Sequence, residues 1–274
     1  MGPGTVGVVV TTYNYGRFLR ECLQSLDAQT RTPDEVIVVD DGSDDDTADV
    51  LTAVQASLGI RDRLRVIRHE QRQGQAISIN EGVNASGCDL VAHVDADDTC
   101  EPAYLEQLER VLTAHPDAGY AYPRMRLTGT ESGVYASFAF HPGRLIFEGN
   151  YIPNVALMRR DAFLATDGIR ELPTHVDWDL WLSMLAAGWP GVLVDEVLYN
   201  WRRHPGSLSD RAERTRLGVR FGIWWRHRGL VARHIAVAPR WLWSAVWRRV
   251  RSRLPGTPAL VRTPSAWVHN DAHR

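Results

Sequence analysis

Three carboxylates fall within four residues at Asp95-Ala96-Asp97-Asp98, directly after the run Leu90–Val94. Like charges packed this closely repel one another unless a cation sits among them. Hard divalent ions such as Mg2+ or Mn2+ take oxygen ligands and often share them with substrate phosphates. A metal–phosphate site is therefore one reading, and a solvated acidic turn or a helix N-cap is the other. A second acidic cluster, Asp40-Asp41-Gly42-Ser43, follows the run Glu35–Val39. Asx-turn chemistry explains part of it, and Gly42 serves the turn. Two adjacent aspartates exceed what a turn needs, and one can accept hydrogen bonds from a base or a ribose. In Thr11-Thr12-Tyr13-Asn14, Tyr13 can stack on a base or simply pack.

These clusters need elements to hold them. Val6–Thr12 is a short β-branched run and reads as a buried strand. Strands are also predicted over Glu35–Val39, Leu64–His69 and Leu90–Val94. Helical spacing covers Arg17–Ala28, Thr47–Leu58 and Gln75–Ala85. This β-α-β-α order predicts an α/β fold with a mostly parallel sheet and helices on both faces. In such sheets ligands bind beyond the carboxyl ends of the strands. Thr11–Asn14, Asp40–Ser43 and Asp95–Asp98 all fall at those ends, so three strand ends converge on one crevice. Farther on, helices are predicted over Pro102–His115 and Asp177–Ala187, and a strand over Val192–Leu198. Tyr120–Val155 reads as an irregular meander. From Glu213 the chain reads helical, broken near Pro239 and ending at Pro255.

Composition narrows the chemistry. The 274 residues are 44% hydrophobic and 23% charged, which excludes collagen, a disordered chain and a small disulfide scaffold. All 31 basic residues are Arg, so any mechanism that needs a lysine is excluded. Cys22, Cys88 and Cys100 show no CxxC spacing, and a reducing compartment fits. No basic stretch followed by an apolar run opens the sequence, so no secretory signal is expected. No run reaches the roughly 18 apolar residues of a spanning helix.

The motifs Val9-Val10-Thr11-Thr12-Tyr13-Asn14, Val38-Val39-Asp40-Asp41-Gly42-Ser43, Gly74-Gln75-Ala76-Ile77-Ser78-Ile79-Asn80 and Val94-Asp95-Ala96-Asp97-Asp98 stand in a telling order. That order and spacing resemble family 2 glycosyltransferases. Asp177-Trp178-Asp179-Leu180-Trp181 looks like that family's acidic motif, and Tyr199 to Ser209 looks like its closing segment. The resemblance covers roughly residues 5 to 210. It implies the nucleotide-diphosphosugar (GT-A) fold and an inverting transfer from a nucleoside diphosphate sugar, most often a UDP-sugar, to an acceptor hydroxyl. It also implies Mn2+ or Mg2+ as cofactor. Carried over, Thr11, Tyr13, Asn14, Asp40, Asp41, Gly74, Asn80 and Asp95 contact the nucleotide sugar. Asp97 holds the metal, His204 is a further metal or diphosphate ligand, and Asp177 is the catalytic base. Val176 stands where the family's motif carries Glu, and loss of that like charge is expected to lower the pKa of Asp177. The dipole of the helix that Asp177 opens is expected to favour the ionised form as well.

Two other readings compete. Asp95-Ala96-Asp97-Asp98-Thr99 fits the DxDxT signature of haloacid-dehalogenase-type phosphatases, in which the first Asp is the phosphoryl acceptor. That family carries the motif on its first strand and relies on a downstream lysine. Here three strands precede it, and the chain has no lysine. The other reading concerns the tail. From Arg211 to Leu254 there are 12 Arg against one acid, Glu213, and five of the ten Trp lie between Arg220 and Arg253. Such a segment reads either as a membrane-surface helix or as an ordinary subdomain with Arg on its wet side. It carries no nucleic-acid motif. The expected organisation is a catalytic domain over 1–210, a basic Trp/Arg-rich helical segment over 211–255 and a flexible tail over 256–274. The expected setting is the cytoplasm, with peripheral contact at the inner face of the membrane.

Overall fold

The computed structural model describes residues 4–135, 137–205, 216–235, 261–262 and 267–269. Strand β1 (Val6–Thr12) is buried along its whole length, as its Val-rich composition requires of a strand covered on both faces. It lies between β2 (Glu35–Asp40) and β4 (Leu90–Asp95), parallel to both, and β3 (Leu64–Arg68) extends the parallel set beyond β2. Side chains alternate between the faces. Val8, Val10, Val36 and Val38 pack on one layer with Leu19, Leu23, Leu105 and Leu108. Val9, Ile37 and Val39 pack on the other with Ile79, Val83, Trp178 and Leu180.

The first layer is built by α1 (Gly16–Asp27), α2 (Thr47–Ser57) and α4 (Tyr104–Ala114). The second holds α3 (Gln75–Ala85), α5 (Pro142–Phe147), α6 (Arg160–Leu164) and α7 (Val176–Ala186). The parallel strands and intervening helices follow the sequence reading closely. The helix predicted from Pro102 begins at Tyr104.

The region read as a meander is more regular than expected. It contains β6 (Tyr120–Gly129), β7 (Gly133–Tyr135) and α5. A short strand, β8 (Leu157–Arg159), pairs antiparallel with both β4 and β6 and joins them to the parallel set. Strand β9 spans Gly191–Arg203, five residues beyond the predicted end at Leu198. Its polar end continues because β6 supplies a parallel partner as far as Gly129 and β5 (Thr99–Cys100) pairs on its other side.

Helices α8 (Arg216–Arg226) and α9 (Arg228–His234) follow one another with a break at His227, across which the His227 N–H donates to the Ile223 carbonyl and the Val231 N–H to the His227 carbonyl, both at 3.0 Å. They bury Ile223 and Leu230 in the second core layer. The expected break at Pro239 and end at Pro255 lie outside the described residues. Within the segment expected to be a flexible tail, β10 (Val261–Arg262) and β11 (Trp267–His269) pair with each other, and β11 pairs with β7. The open edge of β7 offers the unpaired backbone groups that such an addition needs.

Candidate active site

Register aligns the chemistry. Thr11 lies beside Asp95 on β4, and Thr12 lies beside Asp40 on β2. Beyond these ends opens a cleft of about 530 Å³. Its lining includes Thr11, Tyr13, Asp41, Gly74, Asp95, Asp97 and Asp177, drawn from five separate parts of the chain.

The β2 end builds one wall. The Oδ1 atom of Asp40 accepts from the Ser43 backbone N–H at 2.9 Å, and Arg68 lies 3.5 Å from its other oxygen. Gly42, at φ +77°, completes this turn, and a Cβ there would meet the Arg72 backbone nitrogen at 2.9 Å. Asp41 accepts from the backbone N–H groups of Gln73 and Gly74 at 2.7 and 2.9 Å, with His69 Nδ1 at 2.8 Å. Burial opposes ionisation, yet these three partners hold the Asp41 carboxyl below its ordinary range. The same carboxylate and Glu81 raise His69 against its own burial. Arg72 lies over the Tyr13 ring at 4.3 Å.

The β4 end builds the floor. Asp95 accepts from Gln75 at 2.7 Å and from Asn154 at 3.1 Å. His93, pushed down by burial, lies 3.0 Å from the Thr11 hydroxyl. His204 Nε2 lies 2.9 Å from Asp97 Oδ2. The polar end of β9 is stitched to the acidic loop. The Arg202 backbone N–H donates to Asp98 at 2.7 Å, and its guanidinium donates to the Asp97 carbonyl at 2.8 Å. Burial and neighbouring carboxylates push Asp97 up and Asp98 well up. This crowding is the electrostatic demand that a divalent cation relieves. Among the described residues no three His, Cys, Asp or Glu side chains form a closed cage. An Asp97–His204 pair fits an ion that takes its remaining ligands from a diphosphate and water.

The third wall is the start of α7. Asp177 accepts from its neighbour's backbone N–H, on Trp178, at 2.9 Å and from Asn150 Nδ2 at 2.5 Å. Its pKa is raised to about 6, not lowered as the missing Glu and the helix dipole suggested. Burial outweighs the hydrogen bonds, and Asp95 adds a like charge. Asp179 points away from the cleft. It is 1% exposed, accepts twice from Arg170 at 2.7 and 2.6 Å, and lies 3.0 Å from His227 Nε2.

Four residues from the sequence reading stand outside the cleft lining, and one of them, His204, reaches it only through Asp97. Asn14, at φ +57°, exchanges side-chain hydrogen bonds with Asp44. Asp40 is spent on its turn. Asn80 bonds the backbone of Ile169 in both directions, at 2.7 and 2.8 Å. Residues that the sequence reading passed over include Arg72 and Gln75, which flank Gly74 and were within reach of that motif. Asn150 and Asn154 lie in the stretch read as a meander, where no spacing marked them.

The sequence profile of Glycosyl transferase family 2 matches residues 7–164. An uncharacterized glycosyltransferase of Nostoc sp. is 36% identical over 129 residues, which are 47% of this chain and 39% of that protein. The putative glycosyltransferase EpsE of Bacillus subtilis is 26% identical over 224 residues, 77% of each chain. The succinoglycan biosynthesis protein ExoU of Rhizobium meliloti is 30% identical over 207 residues, 68% of this chain and 58% of its own. The match thus spans about two-fifths of the Nostoc relative and 33% of another, the putative glycosyltransferase EpsH of Bacillus subtilis. Among solved structures, Staphylococcus aureus TarS 1–349 in complex with UDP-GlcNAc aligns with a TM-score of 0.66 at 18% identity, over 83% of this chain and 66% of its own. The mannosyltransferase PcManGT of Pyrobaculum calidifontis, in complex with GDP-Man and Mn2+, aligns with a TM-score of 0.62 at 16% identity, over 93% of this chain and 76% of its own. These likenesses establish the GT-A fold and do not favour the phosphatase reading. With its parallel sheet, its acidic strand ends and a family profile that covers more than half its length, this chain belongs to glycosyltransferase family 2.

Proposed function

We propose that this protein transfers a sugar from a nucleoside diphosphate sugar to an acceptor hydroxyl with inversion at the anomeric carbon. The donor is a UDP-sugar ahead of TDP- or GDP-sugars. The acceptor is a saccharide, a lipid-linked saccharide or a small molecule. The observation that carries this reading is the single cleft shared by Tyr13 and Asp41, by Asp95 and Asp97, and by Asp177.

In this reading Tyr13 stacks on the base. Asp41 has three of its roughly four acceptor positions engaged and offers the last to the base edge. Asp95, fixed by Gln75 and Asn154, accepts from the ribose or the sugar. Thr11 and Gly74 shape the surface the nucleotide lies on. Asn14, Asp40 and Asn80 brace the loops. Asp97 and His204 hold Mn2+ or Mg2+, which when bound stabilises charge on the leaving diphosphate. Asp177 takes the proton of the acceptor hydroxyl as that oxygen bonds the anomeric carbon. The bond from that carbon to the diphosphate oxygen breaks, and its electron pair leaves with the diphosphate. No covalent enzyme intermediate is needed.

A thermal-shift screen of UDP, TDP and GDP, each with Mn2+ or Mg2+, tests this. Ligand at 100 times its Kd stabilises by about 2.7 kcal/mol, a readily measured shift. UDP with a metal is expected to give the largest. If no nucleoside diphosphate stabilises the protein with either ion, the reading fails.

The α8–α9 pair supports peripheral membrane contact as part of the same proposal. Phe221 and Trp225 are 66% and 65% exposed and stack on one another, and Ile235 is 58% exposed. Arg228 lies over the Trp225 ring at 5.7 Å, Arg233 is exposed, Arg226 pairs with Asp167, and no acid occurs between residues 216 and 235. An apolar ridge with exposed Arg on the same two helices suits an anionic lipid surface. No helix among the described residues is long and apolar enough to cross a membrane. Cys22, Cys88 and Cys100 are free and buried, which supports a reducing, cytoplasmic setting.

A further inference from the structure

The Arg/Trp-rich helix pair looks like an appendage in the sequence, but its inner face grips the parts of the core that carry Asp177. Trp224 Nε1 donates to the Ile146 carbonyl in α5 at 2.7 Å. Arg220 donates to the Glu148 carbonyl at 3.3 Å, and its guanidinium lies 5.0 Å from the Trp178 ring and 5.6 Å from the Trp224 ring. Trp178 in turn donates from Nε1 to the Leu145 carbonyl at 2.7 Å. Two indole N–H groups, one from α7 and one from α8, thus hold successive carbonyls of α5. Three residues past the end of α5, Asn150 donates to Asp177. Its amide is fixed by Ile152, which it bonds in both directions at 2.9 and 3.1 Å.

The second grip is on α7 itself. His227, at the break between α8 and α9, is 7% exposed and lies 3.0 Å from Asp179, two residues from Asp177. Asp179 also binds Arg170 in a bidentate pair. Arg170 follows Ile169 and precedes Glu171–His175, all of which line the cleft. Asp179 therefore ties three things together: the helix bearing Asp177, the cleft wall ahead of it and the α8–α9 pair.

We propose that Trp224 and His227 are positioning residues for the transfer step. They clamp Asn150 and α7 so that the Asp177 carboxylate faces the cleft in a fixed orientation. The inference rests on Asp177 being the base. It makes the α8–α9 pair part of the catalytic apparatus, beyond any role on a membrane. A displacement of about 1 Å in a catalytic group can cost about 100-fold in rate, so a buttress remote from the substrate can control turnover.

The test uses the full chain and reads UDP release from a UDP-sugar that binds it. Trp224→Phe keeps the ring and removes the N–H donor, and His227→Ala removes the imidazole. Both are expected to lower kcat by roughly 10- to 100-fold, with UDP affinity by calorimetry unchanged. His227→Gln, whose amide nitrogen takes the place of Nε2, is expected to restore much of the rate. If both variants melt lower but keep kcat below their melting range, the α8–α9 pair is only a packing element and the inference falls. It falls too if kcat and UDP affinity drop together, because the whole cleft has then loosened. Asp177→Asn is measured alongside. If that variant keeps its turnover, the base assignment fails. If it loses turnover while Trp224→Phe and His227→Ala keep theirs, the assignment stands and only the positioning role is overturned.

Discussion

His204 Nε2 sits 2.9 Å from Asp97 Oδ2, although 107 residues separate them in the chain. The contact exists because β9 runs on past Leu198 and Arg202 bonds both Asp97 and Asp98, which brings the closing segment over the acidic loop. The pair brings one carboxylate oxygen and one imidazole nitrogen together. In the proposed reading Asp97 and His204 would hold a divalent ion, which would stabilise charge on the leaving diphosphate.

Asp97→Asn keeps the shape and removes the charge. Transfer should be abolished, and the Mn2+-dependent part of UDP binding should vanish while a metal-independent remainder persists. His204→Ala should weaken the same component less, because the diphosphate and water can supply the missing ligand. Calorimetry with and without Mn2+ decides it. Unchanged metal-dependent binding in Asp97→Asn would remove the assignment.

How far the sequence could be read depended on periodicity. Val6–Thr12 and Glu35–Asp40 are buried β-branched runs, and composition alone marks such runs. Because the parallel strands align at their carboxyl ends, finding the strands also located Tyr13, Asp41, Asp95 and Asp97. Asn14 and Asn80 sit in the same motifs, but their side chains turn to Asp44 and Ile169. A motif gives a residue's place on the backbone and not where its side chain points. Asn150 and Asn154 come from a stretch with no period, and only the fold brings them to Asp177 and Asp95. The pKa of Asp177 was misjudged because burial depends on α5 and its following turn, which no local pattern near Asp177 describes.

Asp179 provides a stability prediction. Its carboxyl is lowered to about 2: burial acts to raise it, but His227 and Arg170 together prevail. A depressed carboxylate contributes stability above its unfolded pKa of about 3.9 and loses it as pH falls through the folded value. Asp179 should therefore support the fold fully at neutral pH and fail between about pH 4 and 2. Asp179→Asn leaves a buried imidazole and a partly solvated guanidinium without their anion. Breaking such a pair costs about 3 kcal/mol at the lower end of the usual range, or roughly 6–12 °C in Tm for a chain this size. Kinetic loss in this variant should be smaller than in Asp177→Asn. A melting curve unchanged at pH 7 would show that the cluster carries no stability.

The exposed ridge of Phe221 and Trp225 predicts binding to anionic vesicles that weakens with salt. Screening shortens the reach of surface charge from about 10 Å at 0.1 M to about 3 Å at 1 M salt. Removing both rings should weaken binding further, since each buried aromatic contributes roughly 1.5–3 kcal/mol. Co-sedimentation of the wild type and a Phe221→Ala/Trp225→Ala variant measures both effects. Absence of binding to anionic vesicles at low salt would leave the ridge without a lipid role.

Asp177 gives the sharpest kinetic prediction. Its carboxyl, raised to about 6 chiefly by burial, must be ionised to take the acceptor's proton. The kcat–pH profile should therefore rise with an acidic limb near pH 6 and flatten above it, losing about tenfold for each unit below the limb. Two groups set that limb from opposite sides. Asn150 donates to the charged form, so Asn150→Ala should move the limb upward. Asp95 repels the charged form, so Asp95→Asn should move it downward in whatever activity survives. Asp177→Asn keeps the side-chain shape and removes the acceptor of the proton, so transfer should fall by about 10²–10⁴ while UDP binding is retained. A profile whose acidic limb persists unchanged in Asp177→Asn would mean that the titrating base is another residue.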